Sequence, residues 1–599
     1  MTGHRLDRML NPRSIAVVGA SQREGSAGHG MIHGLINAGF DGTIFPVNPR
    51  YRNVAGLVCH ESLADLPQPV DLAMLGVNST RLEGQLDDAI AMDAGGAVIF
   101  DTCYLDGERD RGLLNRLKAK ARAADLPVCG GNGMGFINLS QRLPVTIFDA
   151  SSKLRDDGNV AFITHSGTVF SEIGNNDFRY ACNLIVSCGQ EINGTMADYM
   201  DYALDMDSTR VIALFMEEAR DPRDFMAALE KARRKDVPVV AMKVGRTRLA
   251  AEFARVHSDA DTGNDMAYQA VFDHYGVMRV GSMDEMANLL ALLSHERQLA
   301  PGGLGVVLDS GGEREMFTDL ADDTGVPLAV ITGETQARIR PHLHHALEPV
   351  NPLDAWGTAH NYEDDFEAYF LAMAHDPGVA MVTFCGDFQW NPTVERGYAK
   401  ALVEAFGQTG KPVSAILNTP MSGLMTAGKD MSSHGIVVLC GTRESLLAIR
   451  HALSWRNRNL PSPPAALSPT PALDDELPAA LGLARSQEGT HGSMMPTILL
   501  MIDPAFGPLV GLRCGESDQE AWALPGIDPG TAGTLIDRVY GTWFPGSQAF
   551  RLSVARLLSM FSVIAPNLAG DVTTLELGPI LEEGDAMACA GFTWRNAEA

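Results

Sequence analysis

His257 stands in ARVHSDADTG (residues 254–263), flanked by Ser258, Asp259 and Asp261 and followed by Gly263. An imidazole can move a proton near neutral pH or attack an acyl or phosphoryl centre. The carboxylates Asp259 and Asp261 beside it raise its proton affinity, which suits a general base better than a phosphoryl carrier. The stretch shows neither apolar period nor alternation and holds a glycine, so it reads as a loop. The competing reading is a solvated surface histidine.

Small-residue turns form the second kind of chemistry. In VVGASQREGSAGHG, Gly19, Ser21, Gly25, Ser26, Gly28 and Gly30 follow an apolar run and precede a helix-like stretch. Such a strand, turn and helix start lets backbone N–H groups approach a phosphate, with the helix dipole favouring the anion. The spacing departs from strict GxGxxG. FPVNP, with Val47, Asn48 and Pro49, closes the next strand and lies on the same carboxyl edge of an open α/β sheet. Ser166, Gly167 and Thr168 in THSGTVFSE, and Ser310, Gly311 and Gly312 in DSGGERE, repeat the pattern as anion cradles. Each alone also fits an ordinary strand–helix turn in which glycine serves packing. Glu313 stands inside the first helical turn of the last cradle and competes with a phosphate. Like charges at about 5 Å oppose each other by on the order of 3 kcal/mol at an effective dielectric near 20.

The elements that must position these residues are short β-branched runs separated by helical stretches. SIAVVGAS, GTIFPVNP, VDLAMLGV, AGGAVIF and LPVCGGNGMGFIN make one series; NVAFITHSGTV, NLIVSCGQE, RVIALFMEEA, VPVVAMKVGR and YGVMRVG a second; GLGVVLDSGGE, VPLAVIT, GVAMVTFCGD, KPVSAILNTP and GIVVLCGT a third. Buried strands alternating with helices predict parallel sheets covered on both faces. NLPSPPAALSPTPALDDELPAA is Pro-rich and reads as a linker. Beyond it lie helix candidates at GTLIDRVYG and AFRLSVARLLSMFSVIAP and a strand candidate at DVTTLELGPIL.

A chain of 599 residues needs several cores. With 45% hydrophobic and 20% charged residues it is an ordinary globular composition. Its net charge of -27 repels phosphate backbones and anionic lipid, so neither nucleic acid nor membrane is an expected partner. Nine scattered cysteines show no CxxC pair or zinc spacing, and no metal site is expected. No leader and no run of 18 apolar residues is found, so a soluble cytoplasmic protein is expected.

In order and wording these motifs resemble the NDP-forming acyl-CoA synthetases, the family of succinyl-CoA synthetase and ADP-forming acetate–CoA ligase. SIAVVGAS, GFDGTIFPVNP, VDLAMLGV and GGNGMGFIN resemble its CoA-binding domain; FITHSGTV, VSCGQEIN, FMEEARD and KVGRT its second domain; VVLDSGG and PVNPLDAWG its third. The resemblance covers residues 12 to 456 almost continuously. It implies an N-terminal Rossmann-like CoA-binding domain (1–147), a flavodoxin-like succinyl-CoA-synthetase-type domain carrying His257 (148–298) and a second flavodoxin-like domain (299–457). A Pro-rich linker (458–490) and a small α+β remnant of an ATP-grasp domain (491–599) follow. His257 falls where the family places a histidine phosphorylated by ATP, on a loop between two helix N-termini, and Glu217 matches the glutamate that hydrogen-bonds it. CoA or acyl-CoA is the implied cofactor and a small carboxylate the implied substrate. Homo-oligomerisation is implied, with room for a separate ATP-grasp subunit.

Departures qualify that picture. The family follows its histidine with small neutral residues, whereas this chain has SDADTG. DPAFGP and LELGPI resemble the closing half of an ATP-grasp domain, but Gly578 replaces an asparagine that would face magnesium, and the stretch before DPAFGP is too short for the lobe that holds the nucleotide. The expected function is therefore formation or conversion of an acyl-CoA thioester at His257 without autonomous ATP activation, extending to acyl transfer or hydrolysis. The alternatives are an ATP-dependent acid–CoA ligase working with a separate ATP-grasp subunit, and a non-catalytic CoA-binding regulatory relative.

Overall fold

The computed structural model describes residues 3–108, 111–155, 157–174, 178–258, 260–355, 362–386, 392–419, 424–458, 477, 481, 483–485, 494–515, 517, 519–541, 543–545, 547–568, 572–583, 586–590 and 592–596. Backbone contacts group the chain into a larger unit (residues 1–220, 231–244 and 278–458) and a smaller one (221–230, 245–277 and 459–599).

In the larger unit the first sheet is built from β1 (Ser14–Val18), β2 (Thr43–Val47), β3 (Leu72–Leu75), β4 (Ala97–Ile99) and β5 (Val128–Gly130), all parallel, in the order β2-β1-β3-β4-β5. The buried run SIAVV makes β1 an interior strand, between β2 and β3. Two short strands, β6 (Gly135–Asn138) and β7 (Leu143–Val145), then leave this sheet and pair antiparallel with the next one. At the level of the sheets the first module thus ends before the boundary expected at 147.

The second sheet adds β8 (Val160–Thr164), β9 (Cys182–Ser187), β10 (Val211–Met216), β11 (Val239–Lys243) and β12 (Met278–Arg279), in the order β12-β11-β10-β8-β9-β6-β7. The third comprises β13 (Gly303–Leu308), β14 (Leu353–Asp354), β15 (Val379–Gly386), β16 (Val413–Leu417) and β17 (Val437–Cys440), in the order β14-β13-β15-β16-β17. All three parallel series therefore share one winding, in which the first strand lies between the second and third, and each has its topological switch point between the first and third strands. VPLAVIT does not become a strand. β14 takes the place beside the carboxyl end of β13, leaving only a bridge from Leu304 to Leu328, and Val330 is 91% exposed.

Modules are joined by backbone and by core. Residues 190–193 run antiparallel to β5, with Gln190 N–H donating to Gly131 O and Ile192 N–H to Gly130 O, so the second module supplies an edge to the first sheet. The second and third modules share a core in which Phe162, Val240, Leu289, Leu304, Phe317 and Leu446 belong to one cluster. Within it the fully buried Asn288 donates to Cys440 O at 2.8 Å and accepts from Cys440 N–H at 2.9 Å.

In the smaller unit, β18 (Pro496–Asp503), β19 (Gly507–Cys514), β20 (Glu520–Ala523), β21 (Val572–Leu577) and β22 (Phe592–Asn596) form an antiparallel sheet in the order β20-β19-β18-β21-β22. The expected helices are Pro529–Tyr540 and Gln548–Leu568. The latter has the length and mean hydropathy of a membrane span, but its Val554, Leu558 and Phe561 are buried in the core of this unit. DPAFGP forms the β18–β19 turn, where Asp503 Oδ1 accepts the N–H groups of Ala505 and Phe506. Gly578 has φ +151, and a Cβ there would stand 2.9 Å from Thr497 Cα, so no side chain fits without a shift.

The segment around His257 is not a loop. A helix runs from Arg248 to Ser258. Thr247 Oγ1 accepts Ala250 N–H at its start, and Arg248 pairs with Glu252 four residues on at 2.6 Å. RLAAEFAR is rich in strong helix formers, and their propensity carries the helix through His257. The side chains of residues 256–258, and Asp259, lie outside the described residues.

Asn288→Ala strips both partners from the Cys440 backbone inside a shared core. Thermal unfolding should show a destabilisation of about 2 kcal/mol, and an unchanged melting temperature would count against the amide bridge.

Candidate functional site

The first module presents a turn made by backbone crowding. Gly19 follows β1 with φ +88, and a Cβ there would meet Gly76 O, the residue after β3, at 2.4 Å. A Cβ on Gly28 would stand 2.0 Å from Gly19 O, so the helix Ala27–Ala38 starts directly against the strand end. Gly25 has φ +75 with open space around it, so its glycine answers to conformation alone. Ser26 caps the helix by accepting His29 N–H at 3.3 Å, and Ser21 Oγ accepts Arg23 N–H at 3.0 Å. After β2, which ends at Val47, the Asn48 side chain donates to Ala20 O at 2.8 Å and accepts Arg50 N–H at 3.0 Å just beyond Pro49. The residues expected to hold CoA are thus gathered at one switch point. Arg23, Arg50 and Arg52 are exposed on the same strand-to-helix connections and were not singled out from the sequence.

At the switch point of the second module, Ser166 caps the helix Gly167–Ile173, accepting Val169 N–H at 3.4 Å, with Gly167 and Thr168 in its first turn. The space beside it is filled by a buried polar chain. Glu217 N–H donates to His165 Nδ1 at 3.0 Å, so the ring carries its proton on Nε2 and gives it to Glu191 Oε1 at 3.1 Å. Glu191 Oε1 also accepts Met196 N–H at 2.6 Å, at the start of the helix Met196–Leu204. Arg220 Nε lies 3.6 Å from Glu191 and 2.9 Å from Glu218. Burial alone would raise the Glu191 carboxyl, but the His165 hydrogen bond, the Arg220 charge and the Met196 N–H outweigh it and hold it below its ordinary range.

His165, Cys188 and Glu191 bring ligand-type atoms within 4.8 Å of one another. Their protons are already assigned. One ring nitrogen accepts and the other donates, while the Cys188 thiol donates to Thr164 O at 3.2 Å and burial pushes its pKa well up. The trio therefore suits a hydrogen-bonded lock on Glu217 better than a cation.

Lys118 completes this cluster from the first module. Burial and then the Arg220 charge pull its pKa down to about 8, while Glu191 and Glu218 partly restore it. His165 and Glu191 sat inside motifs quoted from the sequence, HSG and GQE; Lys118 carried only the signal of lying on the face of Leu114 and Ala121.

The third cradle differs again. Ser310 caps the helix Gly311–Thr324 by accepting Glu313 N–H at 3.4 Å. Glu313 Oε1 accepts the Asn418 amide at 3.1 Å, and a Cβ on Gly311 would stand 3.1 Å from Asp354 Oδ2. Gly312 has open space. Two carboxylates thus attend this helix start, as Glu313 suggested. Residues 356–361, which complete the PVNPLDAWG motif and follow it, lie outside the described residues, as does the side chain of His257.

Winding and switch-point turns define an α/β protein built to hold a nucleotide-bearing ligand at its first module. Residues 13–138 match the CoA binding domain family and residues 157–293 the succinyl-CoA ligase like flavodoxin domain family. The chain is 30% identical over 407 residues, 67% of its length, to acetate–CoA ligase [ADP-forming] I of Archaeoglobus fulgidus, of which 57% is covered. It is 26% identical to the acetate–CoA ligase [ADP-forming] II subunit alpha of Pyrococcus furiosus, over 76% of this chain and 98% of that one. A solved structure of the dinucleotide forming acetyl-coenzyme A synthetase 1 of Ca. Korarchaeum cryptofilum, with phosphate and ADP, aligns at a TM-score of 0.66 and 25% identity over 76% of this chain and 97% of that one. The chain spans 57%, 50% and 55% of three of its relatives, about half their length. It belongs to the NDP-forming acyl-CoA synthetase family.

Gly28→Val forces a side chain into the strand end and should weaken CoA binding at least tenfold by calorimetry; wild-type affinity would show that CoA does not use this turn. Lys118 binds its proton more weakly folded than unfolded, so between about pH 8 and its ordinary range the unfolded chain holds more protons and stability rises with pH. Lys118→Met should accordingly raise the melting temperature at pH 7, with the gain fading as pH climbs towards 10. A gain that grows with pH would reverse the sign.

Proposed function

We propose that the chain is a CoA-dependent acid–thiol ligase component that holds CoA on the first module and forms or converts an acyl-CoA thioester at His257, without activating ATP by itself. The observation that carries this reading is the glycine-built switch-point turn at Gly19–Gly28, followed by two modules of the same winding. Action on a small carboxylate or its thioester is supported by the relatives' names, acetate–CoA ligase and 4-hydroxybutyrate–CoA ligase among them. Gly19, Ser21, Gly25, Ser26, Gly28, Val47, Asn48 and Pro49 take the CoA; Ser166, Gly167 and Thr168 offer the next anion cradle, and Ser310, Gly311 and Gly312 a weaker one.

Glu217 is the residue that matches the family's positioning glutamate, and the Glu191–His165 pair fixes the backbone from which it projects. The sequence position of His257 and the order of motifs around it support this assignment. In the last turn of its helix, His257 sits where exposed carbonyl groups favour a cation and disfavour a dianion. That supports a proton-transfer role: the imidazole takes the CoA thiol proton, the thiolate attacks an activated acyl carbon, and the leaving group receives the proton. Asp261 Oδ1 accepts Gly263 N–H at 3.2 Å, so this acid shapes the turn after the helix.

Activating a free carboxylate needs a phosphoryl donor. Gly578 offers no side-chain oxygen to a metal, and Asp503 Oδ1 is taken up by the hairpin turn. These features support a separate ATP-grasp subunit as the source of that step.

Purified chain should turn over acyl-CoA alone, or form it from ATP, CoA and carboxylates once an ATP-grasp subunit is added. His257→Ala should lower that turnover by about 100-fold while calorimetric CoA binding persists. Unchanged turnover would remove His257 from the chemistry. CoA binding with no turnover in either assay would identify a sensor.

A further inference from the structure

We infer that the amino-terminal edges of the second and third sheets together form a binding site for a small polyphosphate-bearing anion, on the side of the sheets opposite the switch points. A cavity of about 670 Å³ opens there, between the residues that precede β10, β11 and β16, the segment linking the two modules, and the helix Thr442–Arg456. That volume is typical of small-molecule sites.

The lining is rich in cations. Arg210, Lys235, Arg297, Arg456 and Arg458 face Asp236 and Glu296. Arg458 is paired with Asp236, and Lys235 lies 3.2 Å from Asp205. Among the described residues, Arg210, Arg297 and Arg456 have no carboxylate within 4.0 Å. Arg297 donates to Phe406 O at 2.9 Å and Lys411 O at 3.3 Å, and Arg456 donates to Ala300 O and Gly302 O. Carbonyls satisfy donors without cancelling charge. Burial accordingly lowers the pKa of both guanidinium groups, against a partial restoring pull of the Glu296 charge on Arg297 and with no such pull on Arg456.

Geometry favours phosphate over a single carboxylate. Arg297 lies over the Phe406 ring at 3.3 Å and Arg458 over Trp455 at 3.4 Å, so two guanidinium planes are fixed by stacking. Each guanidinium has five N–H donors in a planar fork, more than the carbonyls consume. Three arginines without an ion pair in one cavity call for a ligand with several negative charges. In a protein of net charge -27 such a concentration is the reverse of the general surface. The cavity is lined by both modules, so an occupant would bear on how they are held together.

The test is isothermal calorimetry of the full chain with inorganic tripolyphosphate, repeated with Arg210→Glu and Gly28→Val. Arg210 is exposed and removing it leaves the carbonyl-bonded arginines in place. One saturable site is expected, weakening as salt rises, at least tenfold weaker in R210E and retained in G28V. CoA binding should be unaltered by R210E, which separates this site from the first module. Absence of saturable binding, equal affinity in R210E, or loss in G28V alone would overturn the proposal.

Discussion

Everything this chain can do depends on how closely a helix start is brought to the end of a central β-strand. All three parallel sheets wind alike, so each opens a crevice at the same topological place. What differs is the material that closes it. The first module uses glycine, with Gly28 against the carbonyl of Gly19 and Gly19 against that of Gly76, so the helix start meets the strand end with no side chain between them. The second fills the space with a buried hydrogen-bonded chain, and the third with carboxylates. One architecture thus yields a glycine-lined turn, a locked polar support and an acid-guarded helix end.

The locked support shows how a buried charge is made tolerable. Glu191 sits at 3% exposure, where an isolated carboxylate would be strongly disfavoured. A histidine N–H, a helix-start N–H and Arg220 share its charge. That arrangement orders four separate strand ends and helix starts at once, and it passes through His165 to the backbone of Glu217. Lys118 is the element that this balance strains, since its charge meets Arg220 as well as the two glutamates.

Period and turn signals made the parallel sheets legible: each buried β-branched run before a small-residue turn became a first strand. GGNGMGFIN was harder, because a hydrophobic run does not say which sheet it joins, and β6 and β7 went to the second. VPLAVIT reads as a strand in isolation, yet sheet position is decided by competition, and Leu353–Asp354 won the place beside Leu308. The candidate site was legible where chemistry needs glycine, at Gly19 and Gly28. It was illegible where chemistry needs a neighbour, because nothing in HSG or GQE says that Glu191 will meet His165, and Lys118 looks like any helical lysine. For His257, turn residues after the histidine outweighed helix formers before it in the sequence reading, whereas in the fold the formers extend the helix one residue past it.

That last difference bears on mechanism. A phosphohistidine dianion is stabilised by helix starts and opposed by helix ends. With His257 in the final turn of Arg248–Ser258, phosphoryl carriage would be favoured by unwinding of this turn, so that the residue leaves the carbonyl end. Proton transfer requires no such change, since an imidazolium is favoured where the residue already lies. The end of the helix therefore separates the two chemistries. Asp261, bonded to Gly263 N–H, shapes the chain just beyond that end, where unwinding would have to begin.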